Sequence, residues 1–209
     1  MRYEKVMTPL LEGRRVRLEP LGHHHLDALW EAAHEGRETF RWTAMPATRD
    51  QLQEYVDRAL AARDQQPFAT VDRAANRVVG STRFLDIQRW SWPIGLPDPR
   101  AGDGEAVDSL EIGFTWLALQ AQRTAINTEA KLLMLTHAFE TLRARRVQLK
   151  TDARNEVSRT AIQRLGARFE GVLRSHSPAA GGGVRDTAYF SILAAEWPEA
   201  KANLAARLR

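Results

Sequence analysis

The chain has 209 residues, 44% of them apolar, and a formal net charge of +4. That supplies a full core for one domain. It contains no cysteine, which excludes disulfides, thiolate metal sites and any route through an acyl-cysteine. No apolar run approaches the roughly 18 residues of a membrane span, and Met1 to Leu10 has no apolar leader core. The expected location is therefore the cytoplasm. Only Lys5, Lys131, Lys150 and Lys201 are lysine among the 30 basic residues. The arginines are scattered, so they read as a solvated surface with some available to a phosphate-rich ligand. No nucleic-acid partner and no membrane partner is expected.

Arg14 to Pro20 alternates Val16 and Leu18 on one face, the period of a strand. His23 to His34 carries Leu26, Leu29, Trp30 and Ala33 on a helical stripe, with Gly36 near its end. The adjacent His23, His24 and His25 do not share a helix face, so they read as a solvated helix start and no metal is expected. Thr48-x-x-Gln51 is a capping-box pattern opening a helix to about Arg63. Pro67 to Asp72 and Val78 to Ile87 are expected strands joined by a turn at Ala74 to Asn76.

Residues 88–108 hold several prolines and glycines and no period, a long loop of the kind that is usually functional or disordered. Leu110 to Leu117 is a strand. Asn127 to Leu142 is a helix with Ala130, Leu133, Met134, His137 and Ala138 on one face. Arg146 to Thr151 alternates as a strand. Glu156 to Leu165 is a short helix with Val157, Ala161, Ile162 and Leu165 inward, closed by Gly166. Phe169 to Leu173 and Arg185 to Leu193 are late strands around Gly181-Gly182-Gly183, and residues 195–209 end as a helix with Pro198 in its first turn. The order gives one α/β domain over 1–209, an α+β mixed sheet with flanking helices.

The informative stretch is the strand, loop and helix from Leu110 onward. A loop feeding a helix N-terminus presents unpaired N–H groups and the positive end of the helix dipole, a place for phosphate. Gln122-Arg123-Thr124-Ala125-Ile126-Asn127 stands where the GNAT acetyltransferases carry Gln/Arg-x-x-Gly-x-Gly/Ala. Leu110-Glu111-Ile112-Gly113 precedes it. Arg146-Val147-Gln148-Leu149, Asn155-x-x-Ser158, Leu165-Gly166-Ala167 and Glu170-Gly171-Val172-Leu173-Arg174 follow. Together these resemble the RimJ/RimL-like branch of that superfamily, clearly over Val78 to Trp197.

The resemblance implies a mostly antiparallel sheet splayed between its fourth and fifth strands, with acetyl-CoA in the opening. Its pyrophosphate would lie on the amides from Gln122 to Asn127, its pantetheine on the backbone of Trp116 and Leu117, with Asn155 bonding the cofactor arm. Two positions depart from the motif: Ala125 replaces a glycine, which predicts a strained loop or a displaced cofactor, and Asn127 takes the last place. Ile162 stands where many of these enzymes have a tyrosine.

The reaction implied is acetyl transfer to a primary amine of a small molecule or a protein N-terminus, by direct attack in a ternary complex. A homodimer is among the assemblies it allows. Glu111, on an apolar strand, is the candidate base, its pKa raised by desolvation; the other reading is a charge that only attracts a cationic substrate. Ser158 is the candidate partner of the leaving thiolate, or else part of ordinary helix-start capping. Arg123 reads as a phosphate contact or a solvated loop arginine. Phe40, Trp42 and Trp90, with Trp92, are candidate walls of the acceptor pocket or else core, Phe40 above all, and Asp98, Asp103, Glu105 and Asp108 would make an acidic lid or a solvated loop. His176 reads as a surface histidine, or as one that reaches the acceptor site. The alternative function is an acetyl-CoA-binding sensor on the same fold.

Overall fold

The computed structural model describes residues 8–100 and 106–209. In chain order the elements are β1 (Leu11–Glu12), β2 (Val16–Pro20), α1 (Leu26–His34), α2 (Arg49–Ala61), β3 (Gln66–Asp72), β4 (Arg77–Gln88) and β5 (Ser109–Leu117). Then come α3 (Ala125–Thr136), β6 (Arg146–Asp152), α4 (Glu156–Gln163), β7 (Arg168–Pro178), β8 (Val184–Leu193) and α5 (Trp197–Ala206). The strands form one sheet in the order β1-β2-β3-β4-β5-β6-β8-β7. Every neighbouring pair is antiparallel except β5–β6. That parallel pair is the one joined by a helical crossover, as geometry requires. The fourth and fifth strands of the sequence reading are β5 and β6, because the short Leu11–Glu12 strand adds one to the count. No described helix is long and apolar enough to cross a membrane.

Each face of the sheet has its own core. Leu29, Ala32 and Ala33 of α1 and Leu52, Val56 and Ala59 of α2 pack with Ala69 and Trp116. On the other face Met134, Leu135, Ala138, Ile162, Trp197 and Leu204 close over Phe68, Phe84, Leu110, Ile112, Val147 and Phe190. Central strand β3 is buried along nearly its whole length, which is why Gln66 to Val71 shows no alternation.

Several local signals act as expected. Thr48 Oγ1 accepts from Gln51 N at 3.2 Å, while Gln51 Oε1 reaches back one residue further, to Ala47 N at 2.7 Å. Gly166 ends the α4 turn at φ 94°. The helix expected over Asn127 to Leu142 starts at Ala125 and passes into a π-helical turn, His137–Thr141, where Leu142 N donates to His137 O at 2.9 Å. Its buried face differs from the one expected: Leu135 is enclosed and Leu133 only partly, because the sheet meets the helix on a wider stripe. Val157 is not inward; it is 77% exposed, since α4 is short and only its second turn reaches the core.

Two buried charges fix α3. The carboxylate of Glu129 accepts from the backbone N–H groups of Arg14 (3.2 Å), Arg15 (2.6 Å) and Val16 (2.7 Å). This ties the helix to the start of β2. Gly13 is required beside it, because a Cβ there would lie 2.8 Å from Glu129 Oε2. Lys131 Nζ donates to Thr82 Oγ1 at 3.0 Å and Thr115 Oγ1 at 2.6 Å. With no carboxylate in that set, burial pulls its pKa from 10.5 down to about 7.

Candidate active site

β5 and β6 pair only from Ser109 to Glu111 against Arg146 to Gln148. Beyond that point they part. β5 carries a bulge opposite Ser81 to Arg83, with Phe114 in the left-handed region at φ 50°. A bulge adds twist and bends its strand, while β6 stays paired with β8 through Asp152. The β6-facing edge of β5 from Ile112 to Leu117 is therefore unpaired by any strand. The expected splay is present, and the bulge supplies its cause. Trp116 turns its ring into the α1–α2 core, edge-on to Phe40 at 6.0 Å. Only its backbone faces the opening. Leu117 O already accepts from Gln122 Nε2 at 2.9 Å, and the same Nε2 lies 2.8 Å from Thr39 Oγ1. The Gln122 side chain thus closes its own loop.

α3 begins at the base of this opening. Thr124 is its N-cap: Oγ1 accepts from Ile126 N at 3.2 Å and donates to Ala121 O at 2.8 Å. Helix geometry leaves Ala125, Ile126 and Asn127 N–H without intrahelical acceptors, and Thr124 serves one of them. Ala125 and Asn127 are ordinary helical residues of the first turn. The strain expected from the missing glycine does not arise at Ala125; the left-handed residue is Arg123, at φ 59°. Beside this terminus lies a groove of about 730 Å³ lined by Arg14, Arg15, Arg73 and Thr124 to Ile126. These arginines were not singled out from sequence. The Arg14-Arg15 pair was visible, but its approach to α3 is made by the Glu129 contact.

The other wall belongs to α4. Asn155 Oδ1 accepts from Ser158 N at 3.0 Å, so Asn155 is the helix cap. Ser158 is half-buried one turn into the helix. Arg154 holds the buried Asp152 through two guanidinium bonds, of 3.0 Å and 2.8 Å, and one from its backbone N–H, of 2.9 Å. Its guanidinium also lies 4.9 Å from the Trp42 ring. Trp42, from the α1–α2 segment, thereby meets the β6–α4 loop across the opening.

Glu111 is 2% exposed, at the last paired position before the strands part. Lys150 Nζ stands 2.7 Å from Glu111 Oε2, a charge contact without hydrogen-bond alignment, and 3.9 Å from Asp86 Oδ2. Burial holds the Glu111 carboxyl above its ordinary range, outweighing Lys150. Burial pulls Lys150 down, but Glu111 outweighs it and holds the ammonium above its ordinary value. Along β8, Tyr189 pairs with Lys150, whose Nζ is 5.8 Å from the phenol ring. His176 Nε2 meets Tyr189 Oη at 3.2 Å, and its Nδ1 meets Thr187 Oγ1 at 3.2 Å. The sequence could not show Lys150 and Tyr189 as partners, because strand register brings them together. His176, read as a surface group, is the end of this polar row.

Phe40 does not wall a pocket: it is buried in the α1–α2 core. Trp90 is exposed on the loop after β4, and its backbone N–H donates to Asp108 Oδ2 at 2.7 Å. Asp108 is no lid charge. Arg100 Nη2 and Arg145 Nε bind its Oδ1 at 2.6 Å and 2.9 Å. Burial raises its pKa, but the Trp90 N–H and the two arginines outweigh burial and hold it low. Asp98 accepts from Arg100 N at 2.9 Å. Asp103 and Glu105 lie outside the described residues. Glu19, His24 and His25 do gather, within 4.8 Å. His25 uses both nitrogens internally, Nδ1 with Gly22 N at 3.1 Å and Nε2 with Glu19 Oε2 at 3.0 Å.

A splayed sheet with a bulged strand, a helix N-terminus at its base and a buried glutamate at its vertex is the architecture of acetyl-CoA-dependent N-acetyltransferases. The acetyltransferase (GNAT) domain model matches residues 15–168. The chain is 33% identical to a GCN5-related N-acetyltransferase of known structure from Brucella melitensis, over 99% of this chain and 88% of that one, with a TM-score of 0.83. It is 36% identical over 87 residues to Bacillus subtilis YdaF, named provisionally as a ribosomal N-acetyltransferase; the match spans 42% of this chain and about half, 46%, of that relative. Mycobacterium smegmatis RimJ in complex with CoA-disulfide shares the fold at 20% identity, over 97% and 96% of the two chains, with a TM-score of 0.77. The chain belongs to the GNAT acetyltransferases.

Proposed function

We propose that the chain transfers the acetyl group of acetyl-CoA to a primary amine, of a small molecule or a protein N-terminus, by direct attack in a ternary complex. The observation that carries this reading is Glu111: a buried carboxyl with a raised pKa, at the point where the donor-facing edge of β5 opens. The free amides at the start of α3 and the arginine-lined groove fit the pyrophosphate and other phosphate of the donor. The unpaired β5 edge fits its amide-bearing arm. Asn155 Nδ2 is a further donor to that arm.

Glu111 takes one proton from the acceptor ammonium, directly or through a water. The nitrogen then bonds to the thioester carbonyl carbon. The C–S bond breaks and its electron pair goes to sulfur. Ser158 donates a hydrogen bond to that thiolate, which takes up the second proton lost by the nitrogen. Lys150 opposes the rise and so favours the ionised form of Glu111. Relatives named for ribosomal-protein acetylation favour a protein N-terminus as acceptor.

Calorimetric titration with acetyl-CoA, beside CoA release with amines and N-terminal peptides, tests the reading. Binding with amine-dependent release is expected. Binding without release from any amine would support a sensor, and absence of binding would overturn the proposal.

A further inference from the structure

Arg83, on β4, is 3% exposed and has no carboxylate partner among the described residues. Its guanidinium is sandwiched, 4.7 Å from the Tyr55 ring of α2 and 4.1 Å from the Phe114 ring of the β5 bulge. Nη1 donates to Gln65 Oε1 at 2.9 Å. Its Nε and Nη2, and the neighbouring Tyr55 Oη, are buried with no hydrogen-bond partner among the described residues. All three are donors. Stacking on aromatic faces offsets part of the cost of burying a guanidinium. It does not satisfy in-plane N–H groups, and an unpaired buried charge is destabilising.

The position of these donors is informative. Arg83 pairs across the sheet with Gly113, and Glu111 is the next residue on the same face of β5. The Glu111 carboxyl leans over Gly113, since a Cβ there would lie 2.8 Å from Glu111 Oε1. Arg83 and Glu111 are therefore diagonal neighbours, about 7–8 Å apart at the backbone. Phe114, half exposed and held in the left-handed region, covers the guanidinium from the outside. Its side chain is the one that must move for a ligand to reach Nε and Nη2.

We propose that Arg83, with Tyr55 Oη, receives a carboxylate carried by the acetyl acceptor close to its amine, and that Phe114 is the cover over this site. The inference rests on the acetyl-transfer reading and narrows it. Amine at Glu111 and carboxylate at Arg83 describe an amino acid-like molecule, or a peptide N-terminus with an acidic residue beside it. A purely cationic polyamine is disfavoured.

The test is CoA release with matched pairs: β-alanine against propylamine, γ-aminobutyrate against butylamine, and a Ser-Asp-Ala-Ala peptide against Ser-Asn-Ala-Ala. The carboxylated member should have the higher kcat/KM by about 10- to 100-fold, the range of a charge-assisted bond. R83M should bring the ratio near one with acetyl-CoA affinity retained, and R83K should lower it without reversing it. R58M, on the exposed face of α2, should keep the wild-type ratio. Preference confined to the peptide pair assigns the carboxylate to a peptide, and preference confined to the small pairs assigns it to a metabolite. Equal kcat/KM in every pair, or a preference that survives R83M, overturns the proposal. If R83M does not fold, the wild-type ratio and R83K decide. A second readout needs no turnover: with CoA present, γ-aminobutyrate should raise the Tm of the wild type and not of R83M, while butylamine does not. That shift without turnover of any amine upholds the anion site and removes the acetyl-transfer reading; neither shift nor turnover overturns both.

Discussion

Glu111 and Lys150 set the pH behaviour of the site between them. Burial raises the Glu111 pKa and Lys150 opposes the rise. A base must be ionised, so activity should fall as pH drops through this raised value, above the usual carboxylate range. Lys150→Met removes the opposing charge and should move that acid limb of kcat/KM to higher pH. Glu111→Gln should lower kcat/KM by about 10²- to 10⁴-fold, the usual worth of a general base, with acetyl-CoA affinity intact in calorimetry. A Glu111→Gln profile matching the wild type at all pH values would leave Glu111 as an attracting charge only. Gly113→Ala tests the same carboxyl sterically. The added methyl would meet Glu111 Oε1 at 2.8 Å and Leu85 Cδ2 at 3.0 Å. Displacement of the base by about 1 Å is enough to cost on the order of 10²-fold in turnover, while donor affinity, read by titration, should hold. Glu111 was legible in sequence as a carboxylate among apolar strand neighbours. Lys150 was not, because nothing local announces a partner that a parallel pairing brings alongside.

At the scale of elements, the loop after β4 is anchored by one knot. Arg100 Nη1 and Nη2 bind Arg143 O at 2.6 Å and Val107 O at 3.1 Å, besides the buried Asp108. Arg100→Ala should therefore destabilise the fold by roughly 1–3 kcal/mol, the cost of leaving buried groups less well paired, as measured by urea unfolding. An acidic lid would predict the opposite pattern, altered amine affinity at unchanged stability. The loop was legible from its prolines and glycines. Its anchoring was not, since Arg143 and Arg145 come from the α3–β6 turn. The loop before α3 behaves similarly. Replacement of the motif glycine by Ala125 predicted strain in this loop; Ala125 itself is already helical, and the left-handed φ belongs to Arg123 two residues earlier.

Across the whole molecule, Lys131 couples stability to pH. Folding lowers its pKa from 10.5 to about 7, so between those values the unfolded chain binds the extra proton. Stability should accordingly be greatest above the unfolded value and fall as pH drops toward about 7, with no further contribution below. Lys131→Met should raise Tm at neutral pH and flatten this dependence in scanning calorimetry. An unchanged slope between neutral and alkaline pH would mean that the charge is stabilised inside the fold by more than Thr82 and Thr115.

The sequence by itself determined the element order, the single mixed sheet, the helix start after β5, and Glu111 as a carboxylate among apolar strand neighbours. Those features are written in local periodicity, caps and short motifs, which depend on neighbours along the chain. Only the tertiary structure decided which charges meet. Phe40 became core because α1 and α2 fold over the same patch as Trp116. Asp108 became an anchor because the turn before β6 brings arginines to it. Arg83 was left with unpaired donors because α2 and the β5 bulge enclose it with rings instead of carboxylates. Burial, register and the bulge are sums over distant segments, and no window of sequence contains them.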